Sequence, residues 1–194
     1  MVGMETYGQT DGMDGETCLR QAYNAILHGD FESAVHWFAQ AIEREPDNAS
    51  YHYSASVTCS RSGKTALAES YAKRAVELDP DDPVYALNLR TIESRRLIQE
   101  ARDLLELPEP RAADAAKLLL QADKLDPLSA EAKLLLGLSY RMMGDLRSAI
   151  ACMRETLRLY PQHAEAARLL QEYRAERRRM LQSRFSHPKP RRNR

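Results

Sequence analysis

One stretch of this sequence has residue types that could hold a nucleotide phosphate. Ser62-Gly63-Lys64-Thr65 matches the end of a phosphate-binding loop, in which backbone N–H groups and a lysine hold the phosphates. The complete motif also needs a preceding strand and a glycine five residues before Gly63, where this chain has Thr58. Because Gly63 fits better as the turn between two helices, we expect no nucleotide to bind here.

The histidines and cysteines form no pattern typical of a metal or catalytic site. The five histidines lack metal-ligand spacing, and Cys18, Cys59 and Cys152 are far apart and include no CxxC pair. No serine or cysteine is flanked by the glycines of a nucleophile elbow. The sequence therefore predicts no metal, no cofactor and no enzymatic activity, and the isolated cysteines favour reduced thiols in a cytoplasmic protein.

The elements that position these residues are expected to be helices throughout. The chain has 194 residues, of which 43% are hydrophobic and 29% charged, as is usual for a globular protein. Its 26 alanines and 25 leucines far outnumber its 5 valines and 5 isoleucines. Alanine and leucine favour helices, whereas β-branched residues favour strands. We predict an all-α fold and regard a sandwich, a barrel or an α/β enzyme as excluded.

A repeat is marked by four prolines, each of which follows an amphipathic helical segment. Pro46, Pro80, Pro127 and Pro161 are separated by 34, 47 and 34 residues. A proline just after a helix cannot continue it, so each one marks a helix end. Together with the Gly-Asp turns ahead of two of these segments, the spacing predicts a helix–turn–helix unit of 34 residues.

These units resemble the tetratricopeptide repeat family over about residues 15–163. The best-matching residues are Leu136-Gly137-Leu138-Ser139-Tyr140, Gly144-Asp145-Leu146, Ala149, Met153 and Pro161, followed by Gly29-Asp30-Phe31, Ala34, Phe38, Ala41 and Pro46, and by Gly63, Ala68, Ala72, Ala75 and Pro80. The chain departs from the family at Ala22 and Ser56, which replace an early glycine. The resemblance implies a right-handed helix–turn–helix solenoid of about four units.

The 47-residue interval predicts one lengthened helix. Residues 84–107 contain no glycine or proline and carry apolar residues at helical spacing, so we expect a continuous helix of about 24 residues there. A helix from residue 164 to about 184 should cap the last unit and extend into solvent beyond Tyr173. We expect a disordered polar segment at 1–14, the repeat domain at 15–173, and a basic helix end with a disordered tail at 174–194.

In proteins of this family the first helices of successive units line a concave groove that holds peptides. The resemblance therefore implies an interaction scaffold that binds an amphipathic or apolar segment of another protein. Carried over by position, the groove residues are Leu19, Tyr23, Ile26, Leu27, Tyr53, Val57, Arg61, Leu87, Thr91, Leu134, Leu138, Arg141 and Met142. Relatives that grip acidic chaperone tails use Lys, Asn and Arg at sites occupied here by Leu19, Tyr23, Ser54, Val84 and Asn88, so we expect no carboxylate clamp. The sequence leaves three alternatives: a second copy of the chain covers the groove, the N-terminal segment covers it, or part of it is ordinary core between repeats.

Charge is separated along the chain, and this supports a rival hypothesis. The chain has 28 basic and 28 acidic residues, but nine basic residues and one acidic residue lie in 174–194, which gives that segment +8 and leaves −8 for residues 1–173. Such a tail could bind nucleic acid or another acidic surface. Its candidate residues are Arg177, Arg178, Arg179, Arg184, Lys189, Arg191, Arg192 and Arg194. No apolar run approaches the length of a membrane span.

Overall fold

A computed structural model describes residues 13–185 of the chain. Within these residues 81% of the chain is helical and no strand is present. The nine helices of this part are α1 (Gly15–Leu27), α2 (Phe31–Arg44), α3 (Ala49–Arg61), α4 (Thr65–Leu78), α5 (Pro83–Glu106), α6 (Ala112–Leu125), α7 (Ala130–Met142), α8 (Leu146–Leu159) and α9 (Ala164–Phe185). The prediction of an all-α helix–turn–helix repeat fold is confirmed. The disorder predicted for the two chain ends concerns residues that lie almost entirely outside the described ones.

The repeat is visible in the burial pattern of the second helix of each unit. Helices α2, α4, α6 and α8 are each 14 residues long. The residues at their fourth, eighth and eleventh positions are completely buried: Ala34, Phe38 and Ala41, Ala68, Ala72 and Ala75, Ala115, Leu119 and Ala122, and Ala149, Met153 and Thr156. Alanine at the fourth position of all four helices leaves room for a neighbouring helix to cross closely. The register therefore includes α6, which follows the lengthened interval.

Three glycines make the turns between paired helices. Gly29, Gly63 and Gly144 have φ angles of 76°, 77° and 81°, a backbone conformation that other residues adopt only at a cost. Gly63 lies between α3 and α4, and the Lys64 side chain that follows it forms an ion pair with Glu32. The apparent phosphate-loop residues are thus a helix–helix turn.

A fourth glycine is required by close packing. Gly137 lies at the eighth position of α7, where an added Cβ atom would be only 2.2 Å from the Met153 Cε atom and 3.0 Å from the Cys152 Cβ atom. Ala22 and Ser56 occupy the same position in α1 and α3, and both are completely buried. These departures from the family pattern therefore keep a small residue at the helix crossing.

The chain divides into two compact units, residues 1–92 and 93–194. In the first unit the described core consists of small clusters from α1 to α4, completed by Ile92. In the second unit one cluster joins the end of α5 to α6 and α7, and another joins α7, α8 and α9. Each unit therefore has hydrophobic cores of its own.

Helix α5 is one uninterrupted helix of 24 residues, as the sequence predicted, and it starts and ends one residue earlier than expected. Ile92, which is 2% exposed, lies in the core of the first unit, whereas Leu97 and Ile98 lie in the core of the second. Ser94 lies between them and is buried, and its Oγ atom donates a hydrogen bond to the carbonyl oxygen of Ala122 at 3.1 Å. The sequence did not reveal this buried polar contact.

Helix α9 caps the last unit, as predicted. Ala166, Leu169, Leu170 and Tyr173 are buried against α8 and the adjoining part of α7. Beyond Tyr173 only Ala175 and Glu176 are half-buried, and residues 174 and 177–183 are exposed. Leu181, two turns after Tyr173 and 44% exposed, lines cavities together with residues of α8.

Candidate partner-binding grooves

The first unit has a groove between α1 and α3, with a cavity volume of about 250 Å³. Its lining residues, which we call the N-terminal groove, are Tyr23, Ile26, Phe31, Tyr53, Ser54, Val57, Thr58 and Arg61. Apart from Phe31, these residues all come from α1 and α3, which are the first helices of their helix pairs. The other faces of these two helices pack into the core. The groove is therefore a face that the repeat packing leaves open.

Aromatic contacts hold the walls of the N-terminal groove in place. The Tyr23 ring meets the buried Phe38 ring edge-on, with centroids 5.7 Å apart, and its hydroxyl lies 3.1 Å from the Ser54 Oγ atom. The Tyr53 ring lies 5.2 Å from that of Tyr85 on α5. Although Tyr23 is 47% exposed, both its ring and its hydroxyl have partners, so the wall is preorganised.

The second unit has a groove formed by the end of α5, by α7 and by α9, with a volume of about 330 Å³. This C-terminal groove is lined by Arg102, Leu105, Glu106, Leu135, Leu138, Arg141, Met142 and Tyr173. Met142 is 48% exposed, whereas Tyr173 is only 2% exposed and forms part of the floor. Burial raises the pKa of the Tyr173 phenol, so the floor is uncharged at neutral pH.

The two grooves differ in the state of their cationic rim residues. In the C-terminal groove, Arg102 is paired with Glu131, and the Arg141 Nε atom lies 2.9 Å from a Glu176 carboxylate oxygen. In the N-terminal groove, Arg61 is exposed and forms no ion pair with any residue that the structure describes. Of the two rims, only that of the N-terminal groove therefore has an arginine with no ion pair among the described residues.

Of the thirteen residues that we singled out as groove residues, eight line one of these grooves. Tyr23, Ile26, Tyr53, Val57 and Arg61 belong to the N-terminal groove, and Leu138, Arg141 and Met142 belong to the C-terminal groove. The other five are Leu19, Leu27, Leu87, Thr91 and Leu134. Leu134 is 9% exposed and packs in the core, while Leu27 is 84% exposed and lines neither groove.

Sequence reasoning missed the α5 and α9 side of the C-terminal groove. Arg102, Leu105 and Glu106 lie in the last turns of α5, which act as the first helix of the pair formed with α6. The absence of glycine and proline predicted the length of α5, but it did not predict which side chains near the end of α5 line the groove. The sequence feature that could have indicated this side of the groove is the pair of adjacent leucines, Leu104 and Leu105, which lies opposite α6 and α7.

The basic tail residues are only partly described. Arg177, Arg178 and Arg179 lie on α9 and are exposed. Arg184 also lies on α9, and its side chain is outside the description, as are Lys189, Arg191, Arg192 and Arg194 altogether. Among the described residues, Arg154 on α8 and Arg174 on α9 lie near this set and were not predicted.

The side chains of residues 13–185 form no metal site, and burial does not activate the Cys59 and Cys152 thiols. No cluster of three or more His, Cys, Asp or Glu residues there could hold a metal ion. Burial raises the pKa of the Cys59 and Cys152 thiols to about 11, so both are protonated at neutral pH. None of the helices in this range has the length and apolar character needed to cross a bilayer.

Comparison with known proteins agrees with the repeat architecture. The family model for the middle TPR-like domain of cilia and flagella-associated protein 70 matches residues 18–160. A solved structure of MamA from Desulfovibrio magneticus RS-1, residues 41 to the end, has a TM-score of 0.52 and 16% identity and covers 84% of this chain and 85% of that one. Another MamA crystal structure has a TM-score of 0.52 and 21% identity over 87% and 86%. These likenesses show the fold, and a search of curated proteins found no match.

Proposed function

This chain belongs to the family of the middle TPR-like domain of cilia and flagella-associated protein 70, and we propose that it is a non-enzymatic scaffold that binds an apolar segment of a partner protein. The observation that carries the proposal is the N-terminal groove. Its apolar walls are open to solvent although their side chains are held in fixed positions. Exposed, preorganised apolar surface of this kind is typical of binding sites.

The ligand that suits both grooves is an amphipathic helix or a short extended segment. Each groove has room for a few side chains, which matches anchors spaced at i, i+3 and i+4 on a helix. A carboxylate clamp has less support, because the Asn88 side-chain amide already donates to the Ser56 Oγ atom at 2.7 Å. The partner is therefore proposed to contribute apolar side chains, with at most one carboxylate near Arg61.

We also propose that the protein resides in the cytoplasm, which is a reducing compartment. Cys18, Cys59 and Cys152 are free thiols in the structure. Disulfides are scarce where glutathione and thioredoxin keep thiols reduced.

The test starts from partners captured by crosslinking in the source cell and uses charged substitutions in the grooves. Tyr53→Glu and Leu138→Glu each put an unpaired charge into an apolar contact, so the affinity for the main partner should fall at least about tenfold in one or both variants. Ala151→Glu, at an exposed position of α8 outside both grooves, is the matched control and should bind normally. Circular dichroism checks that all three variants are folded.

Two further measurements distinguish the rival hypotheses. Apolar contacts respond weakly to salt, so raising the concentration from about 0.05 to 0.2 M should change the affinity less than about tenfold. Deleting residues 174–194 should leave at least part of the binding intact. Normal binding by both groove variants, with complete loss on truncation, would overturn the proposal in favour of the tail. If the captured partner is a second copy of this chain, analytical ultracentrifugation will show a dimer that Tyr53→Glu or Leu138→Glu dissociates.

A further inference from the structure

A cleft between α8 and α9 has a chemical character different from that of either groove. This arginine cleft has a volume of about 270 Å³ and is lined by Ile150, Arg154, Arg174, Arg177, Arg178 and Leu181. It shares no lining residue with the N-terminal or the C-terminal groove. Four of its six lining residues carry a positive charge.

The arginines of the cleft are brought together by helix geometry. Arg174, Arg177 and Arg178 are spaced i, i+3 and i+4 on α9, so they lie on one face of that helix, and Leu181 continues the face one turn further. On α8, Arg154 lies one turn from Ile150, which places both on the opposite wall. Like charges at these spacings cost helix stability unless something neutralises them.

Nothing in residues 13–185 neutralises the cleft. None of its four arginines forms an ion pair or hydrogen bond with a described residue. The nearby carboxylates are engaged elsewhere: Glu155 pairs with Arg158, Glu172 with Arg168, and Glu176 with Arg141. The helix dipole does not account for the charges either, because its effect is limited to the last turn, and the four arginines lie before the last turn of α8 or α9.

The base of the cleft is apolar. Ile150 is only 4% exposed and Leu181 is 44% exposed. Arg177 and Leu181 also line a second cavity of about 280 Å³ with Gly144, Leu146 and Met180, among others. The two cavities together offer a short apolar track with guanidinium groups along it.

We propose that the arginine cleft binds an acidic segment of a partner protein, in which glutamate or aspartate side chains flank one or two aliphatic residues. Guanidinium groups form bidentate hydrogen bonds with carboxylates, and the Ile150–Leu181 base accommodates the aliphatic side chains. This site is separate from the grooves and does not depend on the function proposed for them.

The cleft is better suited to an acidic peptide than to a nucleic acid. Its lining contains no aromatic side chain on which a base could stack. The cleft itself presents only four arginines, and residues 1–173 carry a net charge of −8, which repels a long polyanion. The apolar base and the four positive charges together favour a short segment that carries both aliphatic and acidic side chains.

The experiment measures fluorescence anisotropy of a fluorescein-labelled synthetic peptide of repeated Glu-Leu-Glu units with the full-length chain. Arg154→Gln with Arg177→Gln should weaken binding at least about tenfold, because two charge-assisted contacts are lost. Arg147→Gln with Arg179→Gln is the matched control. It removes the same charge from the same two helices, at exposed positions that do not line the cleft and form no ion pair with a described residue, and should change the affinity less than about threefold.

Further measurements distinguish a specific acidic peptide site from general charge attraction, from nucleic-acid binding and from self-association. The peptide with glutamine for every glutamate should not bind, and Tyr53→Glu in the N-terminal groove should leave binding of the acidic peptide unchanged, so this site and the grooves can fail separately.

Equal weakening by the two arginine pairs would overturn the proposal and indicate general charge attraction. Tighter binding of single-stranded oligothymidine than of the peptide would overturn it in favour of nucleic acid. Loss of a dimer in the Arg154→Gln, Arg177→Gln variant, without peptide binding by the unaltered chain, would overturn it in favour of a second copy.

Discussion

The N-terminal and C-terminal grooves are built by the same repeat but present different surfaces. The first is aromatic and hydroxyl-bearing, with Tyr23 bonded to Ser54 and Tyr53 packed near Tyr85. The second is mainly aliphatic, with leucines and Met142 around the buried Tyr173. The shared positions within the helices determine where a groove lies, and the side chains at those positions determine the chemical character of its surface.

The rims differ for a reason that lies in the neighbouring helices. The cations of the C-terminal groove are neutralised by Glu131 at the start of α7 and by Glu176 on α9, whereas Arg61 has no such carboxylate within the described residues. Helix α5 adds a second difference, because its end lines the C-terminal groove and none of it lines the N-terminal groove. Substitutions in α5, at the helix crossings and at the rims test these differences.

The largest effect is expected from Ser94→Pro in the middle of α5. Proline removes a backbone donor and clashes with the preceding turn, which costs about 3 kcal/mol or more inside a continuous helix. The melting temperature followed by circular dichroism should therefore fall steeply. Ser94→Ala, which removes only the bond to the Ala122 carbonyl, is the control and should cost about 1 kcal/mol. A melt of Ser94→Pro close to that of the unaltered protein would mean that α5 is broken near Ser94.

An intermediate effect is expected at the helix crossings, where the two units should behave alike. Ala68 and Ala149 occupy the same fourth position in α4 and α8, and both are completely buried. Ala68→Leu and Ala149→Leu should each overpack a crossing and lower the free energy of unfolding by about 1–3 kcal/mol in urea denaturation. Ala151→Leu, at an exposed position of α8, serves as the control and should be nearly neutral. If Ala149→Leu matched that control, the repeat register of the second unit would be wrong.

The smallest effect is expected at the rims, where the two grooves should differ. Arg141→Gln breaks the ion pair with Glu176, a pair with side chains 40% and 27% exposed, and should lower the free energy of unfolding by up to about 1 kcal/mol. Arg61→Gln breaks no described ion pair and should change it by less than about 0.5 kcal/mol. Urea denaturation at low salt measures both, and equal losses would remove the distinction between the rims.

Most of the fold could be predicted because its signals are local. The alanine and leucine excess indicated helices, and the Gly-Asp turns and the prolines marked where α2 and α8 begin and end. The length of α5 followed from the absence of helix-breaking residues over 24 positions. Such features act within a few residues of one another, so a single sequence displays them directly.

The candidate sites depended on contacts that a sequence does not display. Of the residues that the first-helix positions predicted for the groove, Tyr23, Tyr53 and Leu138 line cavities, whereas Leu134 packs in the core because α8 and α9 cover it. The buried Ser94 hydroxyl donates its hydrogen bond to the carbonyl oxygen of Ala122, which lies 28 residues further along the chain.

The sequence by itself determined the helices, their repeat and the charge of the C-terminal segment. Only the tertiary structure decided that Arg154 joins the arginines of α9 around an apolar base, and that Glu176 neutralises Arg141 rather than a cleft arginine. The physical reason is that helix formation depends on local backbone preference, whereas the pairing or isolation of a charge depends on which side chains the packing of separate helices brings within a few ångströms.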